Sequence, residues 1–231
     1  MTSYVEVALH IQATLESGMH IGTGFGMGKL LDERTMQGPH ARPTLSVSLP
    51  YIPGSSLKGR LRATATSLVE MVFPTRDEIE REDMIIDLFG ADVMGSTRAN
   101  QRRAGRLFFS DMHLVADQER AISQEKGALL PYLALEHRAR VALSRERRSA
   151  KEDMLMAIEV ASSDLTMETT IRGWLPEAQA MREVALLVLA IRATIHLGGH
   201  KGRGLGAIEM VPISIKIANK DISLDTLGEE L

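Results

Sequence analysis

The sequence predicts an α+β fold, because strand-like and helix-like hydrophobic patterns alternate along one chain of 231 residues. Residues 4–14 alternate apolar and polar side chains, as a half-buried strand does. Residues 57–72 repeat apolar side chains at helical spacing, and 207–217 predict a last strand. One core is expected from this length, so we predict a single domain over 1–217 and a frayed, polar, acidic tail over 218–231.

The middle of the chain supplies the remaining elements. Residues 105–115 are rich in aromatic and branched side chains and predict a second strand. Two alternating runs within 133–160 flank an arginine-rich tip, which indicates a hairpin. Pro176 is placed to begin a helix over 177–197 that packs under a sheet. The order β–α–β–β–α–β is that of a ferredoxin-like or RRM-like core, with a long loop insertion after the first strand and the hairpin as a second insertion.

Composition narrows the class of protein. The chain has no cysteine, which excludes disulfides, thiolate metal sites and a cysteine nucleophile. It shows no leader-like N-terminus and no apolar run of about 20 residues, so we expect a cytoplasmic protein with no membrane partner. The net charge of −3 argues against a general nucleic-acid binder. However, arginines concentrate within 98–106 and 138–151 and acids within 77–87, and such segregation favours one polyanion-binding face.

Two glycine-rich loops invite a nucleotide-binding interpretation, which their context excludes. The first, 22–28, has Met27 where a dinucleotide fingerprint needs glycine, and it does not open into a helix. The second, 198–206, follows a helix and precedes a strand, the reverse of a P-loop. Its glycines, together with Lys201 and Arg203, predict close contact with a phosphodiester backbone; the alternative is a flexible turn.

The start of the first helix is a second candidate for phosphate binding. Ser55 or Ser56 can cap the helix, and a helix N-terminus offers unpaired N–H groups with a partial positive charge. Lys58 and Arg62 add cations. Glycine at position 59 lowers the stability of the helix by about 1 kcal/mol relative to alanine. Close approach of another backbone would explain that cost.

Three motifs in one order carry a family resemblance. HIGTG (20–24), IPGSSLKGRLR (52–62) and GGHKGRGLG (198–206) together resemble the RAMP superfamily of CRISPR-associated RNA-binding proteins. Residues 135–160 are similar to the thumb hairpin of the backbone subunits that polymerise along the guide RNA in type III CRISPR effector complexes. The resemblance covers about residues 5–215.

The resemblance implies an activity for the loop after the first strand. Asp32 matches the aspartate that cuts target RNA paired to the guide, with Mg²⁺ as a transient divalent metal at that residue and no tightly bound cofactor. Glu33 and Arg34 stand where the family often has a proline two residues after the aspartate, so a non-catalytic scaffold subunit is the alternative. A guide-RNA-processing endoribonuclease using His20 or His40 as a base is a third possibility.

The resemblance also implies partners and an RNA-binding surface. The partners are guide CRISPR RNA, target RNA and other effector subunits, including neighbouring backbone subunits. The chain has one Trp, three Tyr and five Phe, so we expect binding to phosphates and helical shape, with little base reading. The expected RNA contacts are His20, Gly22, Ser55, Ser56, Lys58, Arg60, Arg62, Arg138, Arg140, Arg145, Arg147, Arg148, Lys201 and Arg203.

Overall fold

The structure, a computed structural model, describes residues 2–23, 35–38, 49–91, 104–124 and 134–229. Within these ranges the strands are Tyr4–Leu15 (β1), Gln37–Gly38 (β2), Leu49–Pro50 (β3), Leu107–Phe109 (β4), His113–Leu114 (β5), Leu135–Ser144 (β6), Ser149–Ala161 (β7), Thr166–Pro176 (β8), Ile208–Ile217 (β9) and Lys220–Asp221 (β10). The helices are Gly54–Val72 (α1), Glu78–Phe89 (α2), Ala116–Gln124 (α3), Glu177–Ala193 (α4) and Leu224–Gly228 (α5). The structure confirms a mixed α+β architecture built on antiparallel sheets.

The main sheet has β1 at its centre. Its strand order is β10-β9-β1-β8-β4, all neighbours are antiparallel, and β5 also pairs with β8. The alternation that predicted β1 is realised, because Val7, Leu9 and Ile11 point to one face and are fully buried. β8 runs beside β1 in continuous register, whereas the pairing with β9 shifts at His10 and Ile11, which marks a bulge.

Two long helices cover the inner face of this sheet. α1 buries Leu57, Leu61 and Ala65, the apolar residues whose spacing predicted it. α4 buries nearly every side chain between residues 183 and 191, and it packs against α1, β8, β9 and β1. Sheet and helices therefore share one continuous core.

The predicted hairpin forms a sheet of its own. β6 and β7 pair with each other from Leu135 and Ala161 at the base to the four-residue turn 145–148. The base is held by buried contacts among Ile158, Val160 and Leu205, the last of which belongs to the loop 198–206. Further out, Leu143 and Leu155 are 65% and 70% exposed, so the outer half of the hairpin projects from the core.

The structure corrects the expected strand assignment. The strand β8 was not predicted, although it lies in the centre of the sheet beside β1. Its inward positions include Thr169 and Gly173, which break the apolar alternation. The predicted single strand over 105–115 is two short strands, β4 and β5, separated at Met112, which instead bridges to Ile52.

The structure also defines one further segment and changes two expectations. The acidic segment 77–87 forms most of α2, which Asp77 caps by accepting a hydrogen bond from the Glu80 amide. The helix expected over 177–197 ends at Ala193. The expected fraying does not apply to the described part of the tail, 218–229, where β10 pairs with β9 and Leu227 of α5 is buried; the division into a domain and a tail remains a prediction. No helix within the described ranges is long and apolar enough to cross a bilayer.

Candidate nucleic-acid interface

Cationic side chains from three distant parts of the chain meet beside the loop 198–206. Arg140 of β6 lies with its Nη1 3.4 Å from Nδ1 of His200, and the His200 ring lies 5.3 Å from the His20 ring. Partial burial lowers the pKa of the Lys201 ammonium, and the nearby positive charge of Arg60 on α1 lowers it further. The three cations in this arrangement, Arg60, Arg140 and Lys201, are called the cationic cluster below.

The cluster carries positive charge that the described residues do not neutralise. Nε of Arg60 and Nη2 of Arg140 are buried, yet neither atom has a hydrogen-bond partner within the described chain. Burying a guanidinium N–H without an acceptor is costly, so a native protein rarely does so without a ligand for the group. Lys201, an exposed residue of the same loop, adds a third cation, which the positive charge of Arg60 opposes. An anion that approaches these groups would relieve both costs.

The glycine-rich loop is built around two obligatory glycines. Gly206 has φ +80°, and a Cβ there would lie 2.1 Å from the carbonyl oxygen of Leu197. Gly198 has φ +87°, and a Cβ there would lie 2.5 Å from the carbonyl oxygen of His20. In contrast, Gly202 and Gly204 face open space, although Gly204 also has φ +76°, which favours glycine. The two outer glycines serve the fold, and the middle ones leave room for a ligand.

Hydrogen bonds of His20 join the segment after β1 to both the hairpin and the loop 198–206. Nδ1 of buried His20 donates to the carbonyl oxygen of Glu159 at 2.8 Å, and the carbonyl oxygen of His20 accepts from the Gly199 amide at 2.8 Å. Gly22 lies against the same ring, where a Cβ would stand 3.2 Å from Nε2. His20 and Gly22 therefore belong to the framework that orients the cluster.

The described residues on either side of the segment 24–34 are held together. Gly22 and Thr35 form a β-bridge, and the Ile21 amide donates to Oγ1 of Thr35 at 3.2 Å. The carboxylate of Glu159 is 5% exposed and accepts from the Thr35 amide and from Nε2 of Gln37. Sequence reasoning missed Glu159, because it falls on the polar side of an alternating strand. Asp32 lies outside the described residues, as does His40.

The start of α1 differs from the expected phosphate site. The helix begins at Gly54 without a side-chain cap, so the expected cap at Ser55 or Ser56 is wrong. Oδ1 of Asp111 accepts from the Gly54 amide at 2.7 Å. A Cβ at Gly54 would lie 2.1 Å from the carbonyl oxygen of Phe109, so this end of the helix packs tightly on β4. The first amide is therefore already paired with a carboxylate.

Helical geometry divides the cations of α1 between two flanks. Successive residues turn by about 100° around the axis, so Arg60 lies on one side of the buried stripe and Lys58 and Arg62 lie on the other. Thr64, one turn beyond Arg60, hydrogen-bonds Thr194 at the end of α4, which places the Arg60 flank beside the loop 198–206. Only Arg60 among the three joins the cationic cluster. Gly59 projects opposite the core, where a Cβ would meet nothing within 4 Å.

The remaining predicted contacts line the hairpin and the rim of the loop. Arg138 is partly exposed and bonded to Glu136 at 3.3 Å, and its Nη2 lies 3.0 Å from the position of a Cβ at Gly18. Arg203 is exposed at the tip of the loop. The exposed turn 145–148 holds Arg145, Arg147 and Arg148, which form no ion pair with any residue in the described ranges.

Two glycine substitutions are expected to change stability in opposite directions. Gly59→Ala should raise the free energy of unfolding by about 1 kcal/mol, because alanine favours the helix interior and the space is open. Gly206→Ala should lower it by at least about 2 kcal/mol, because the residue is left-handed and its Cβ would strike a carbonyl oxygen.

Urea unfolding of the two variants and of Gly202→Ala, which has neither problem, measures these effects. Equal destabilisation by Gly202→Ala and Gly206→Ala would contradict the role given to Gly206.

The geometry thus defines an antiparallel α+β domain with unneutralised cations gathered at one end of its two long helices, an arrangement that favours an anionic ligand. Comparison with known protein families makes the class of protein specific. The model of the RAMP superfamily (RAMPs) matches residues 12–209, so the chain belongs to the RAMP superfamily.

Individual relatives share part of the sequence. A Bacillus pumilus protein named glutamyl-tRNA reductase is 27% identical over 192 residues, which are 80% of this chain and 41% of that protein. The CRISPR system Cms endoribonuclease Csm3 of Enterococcus italicus is 28% identical over 96 residues, 41% of this chain and 42% of the relative. The matches thus span about two fifths of the length of these curated relatives.

Two solved structures share the fold. A chain of the apo type III-B Cmr-beta complex aligns with a TM-score of 0.61 over 89% of this chain and 97% of its own length. A chain of the Cmr-beta complex bound to cognate target RNA aligns with a TM-score of 0.58 over 90% and 96%. Both are 13% identical in sequence, so the likeness concerns the fold.

Proposed function

We propose that this chain is a guide-RNA-binding backbone subunit of a type III CRISPR effector complex, working in the cytoplasm with target RNA and other effector subunits as partners. The observation that carries the proposal is the cationic cluster, whose buried N–H groups on Arg60 and Arg140 lack acceptors within the described chain. Membership of the RAMP superfamily and the Csm3 relative support it. The Cmr-beta matches support the fold.

The fold proposed for this subunit is a ferredoxin-like βαββαβ core. If β4 and β5 are counted as one broken strand, the four core strands in chain order are β1, β4/β5, β8 and β9. In the sheet their order is β9-β1-β8-β4/β5, so the fourth strand lies beside the first and the second lies at the opposite edge. Both long helices lie on one face. This arrangement supports the ferredoxin-like interpretation.

RNA would lie between α1, the loop 198–206 and the base of the hairpin. Arg60, Arg140 and Lys201 would contact successive phosphates, and the open positions at Gly59 and Gly202 would allow the RNA backbone to come close. The hairpin tip, with Arg145, would extend as a thumb across the guide–target duplex. Such contacts read charge and shape, so sequence specificity would come from pairing with the guide.

Cleavage of target RNA through Asp32 is the catalytic part of the proposal. Mg²⁺ would be held by Asp32 together with RNA phosphate oxygens. The bound metal would stabilise negative charge on the scissile phosphate. The chain itself supplies the anchoring of both ends of the segment that carries Asp32, through Gly22, Thr35 and Glu159.

The reductase activity named for the Bacillus relative gains no support from the described residues. The loop 198–206 joins α4 to β9, whereas a dinucleotide-binding loop joins a strand to a helix. Its obligatory glycines are also explained by contacts with the carbonyl oxygens of His20 and Leu197.

Neutralising the cationic cluster is expected to weaken RNA binding. The double variant Arg60→Gln with Lys201→Gln should bind guide RNAs of any sequence more weakly. The association constant should also depend less steeply on salt: the negative slope of its logarithm against log salt should shrink by about 0.7 for each lost phosphate contact. Fluorescence anisotropy over a salt series measures both quantities. A second pair, Lys58→Gln with Arg62→Gln, reports on the opposite flank of α1.

The matched control for this experiment is Arg172→Gln with Lys216→Gln, which removes the same charge from exposed positions on the outer face of the sheet. If the control pair lowers the salt slope as much as the cluster pair, binding depends on net charge alone and the proposed interface is wrong.

A further inference from the structure

A second charged feature lies away from the cationic cluster, in a cleft between α2 and the first half of α4. The cleft has a volume of about 220 Å³. Glu183 of α4 lines it and is 2% exposed, and its Oε2 has no hydrogen-bond partner within the described chain. The charged side chains that line the cleft are Arg76, Glu80, Asp83, Asp87, Arg182 and Glu183.

Glu183 is out of place for a purely structural residue. It is the only acid among the buried residues of α4, and the buried residues that follow it, from Val184 to Ile191, are all apolar. A buried carboxylate without a partner costs several kcal/mol, which a glutamine or leucine would avoid. Burial and the nearby Asp87 raise the pKa of Glu183 to about 7, against the weaker opposing effect of Arg106 and Arg182. The group is therefore poised to ionise when a cation arrives.

The chemistry of the cleft limits what it can bind. Four carboxyl groups line the cleft with two guanidinium groups; Nη1 of Arg76 is bonded to Oε2 of Glu80 at 3.1 Å, and Asp87 is paired with Nε of Arg106 at 3.4 Å, which leaves an excess of one acid when Arg106 is counted. The acidic excess excludes phosphate and RNA as ligands. The cleft is smaller than the roughly 300–1,000 Å³ of small-molecule sites. No metal-binding group of three occurs in the part of the chain that the structure describes.

A single cationic side chain remains as the occupant. Arginine suits the cleft better than lysine, because its planar guanidinium has five N–H donors and can pair with a carboxylate through two of them. We propose that this cleft binds an arginine side chain presented by a protein partner, with Oε2 of Glu183 accepting a guanidinium N–H at the bottom of the cleft.

The two sites are separate. Glu183 and Thr194, which lies at the cluster end of α4, are 11 residues apart, or about 16 Å along a helix. An arginine side chain bound in the cleft would therefore not touch the cationic cluster. The inference goes beyond the proposed RNA binding and does not depend on it.

Amide NMR titration of the full chain with Nα-acetyl-arginine methylamide tests the proposal. Saturable shifts are expected for residues of α2 and α4, and the citrulline analogue, which has the same shape without the charge, should produce none. Glu183→Gln should weaken binding by at least about tenfold, while Asp225→Asn, which changes an exposed acid that does not line the cleft, should not. Wild type at about pH 5 should also bind more weakly than at about pH 8, because Glu183 is then protonated.

Several outcomes would overturn the proposal. Equal shifts with citrulline would show that charge is not recognised, and equal affinity for the lysine analogue would remove the guanidinium specificity. Unchanged affinity in Glu183→Gln would move the site elsewhere. Broadening of the same resonances by Mn²⁺ at lower concentration than arginine would make the cleft a metal site. Loss of RNA binding plays no part in the readout, so failure here is separate from failure of the proposed function.

Discussion

Asp32→Ala is expected to reduce cleavage of guide-paired target RNA by at least about 100-fold, the contribution typical of a positioned acid–base group. In-line attack by a ribose 2′-hydroxyl needs an activated nucleophile and a stabilised phosphate, and the proposal assigns both tasks to one carboxylate and its metal. Target binding should be unchanged, because the proposed phosphate contacts come from the cationic cluster. Labelled target RNA, added to the guide-loaded complex with Mg²⁺ or with chelator, measures the cuts.

The neighbouring acid supplies the control for this experiment. Glu33→Ala removes the same charge one residue away and should leave the cut pattern as in wild type. Identical cuts in Asp32→Ala and wild type would make the subunit a scaffold. Cleavage of a free guide precursor that survives Asp32→Ala would favour the processing alternative. The structure already weakens His20 as its base, since His20 is buried and its Nδ1 is bonded to the carbonyl oxygen of Glu159.

Glu183→Gln is expected to stabilise the protein at alkaline pH by up to about 3 kcal/mol, the free energy equivalent of raising a pKa from 4.5 to about 7. The folded state binds the proton more tightly than the unfolded state, so wild-type stability falls as pH rises from about 4.5 to about 7. Glutamine keeps the shape and cannot ionise.

Urea unfolding of both proteins at about pH 5 and about pH 8 measures this effect. The change in the free energy of unfolding between the two pH values is compared in wild type and variant, so that the contributions of other titrating groups cancel. Wild type should lose most of the 3 kcal/mol relative to the variant between the two conditions. Parallel pH dependence in the two proteins would show that Glu183 is ionised in the folded state at no cost.

Local patterns were sufficient for the elements whose inward positions are all apolar. β1 and α1 were predicted close to their observed bounds, because Leu9 and Leu61 belong to uninterrupted apolar faces. β8 was missed because its core face includes Thr169, whose hydroxyl donates to the carbonyl oxygen of Ser110 at 3.1 Å, and Gly173. A Cβ at Gly173 would lie 2.1 Å from the carbonyl oxygen of Arg106, so that glycine is required by a neighbour remote in sequence.

The candidate site shows the same limit. Motifs indicated which segments carry cations, but a motif cannot say which flank of a helix a residue occupies, so Lys58 and Arg62 were grouped with Arg60. The buried acids were not anticipated either. Both Glu159 and Glu183 lie in ordinary periodic patterns, in which an acid is expected to face solvent. Tertiary contacts bury them: residues 35–37 cover Glu159, and α2 covers Glu183.

The central position of β1 also dictates when the protein can fold. Its partners β8 and β9 are encoded late, and roughly 150 residues separate the end of β1 from the start of β8. At about 5–20 residues per second the ribosome needs roughly 8 to 30 s to bridge that interval. During this time the apolar face of β1 has no sheet to join, and contacts between such distant segments form slowly. The nascent chain is therefore exposed to aggregation until β8 emerges, and a cell that makes many copies at once would depend on chaperones that hold the N-terminal strand.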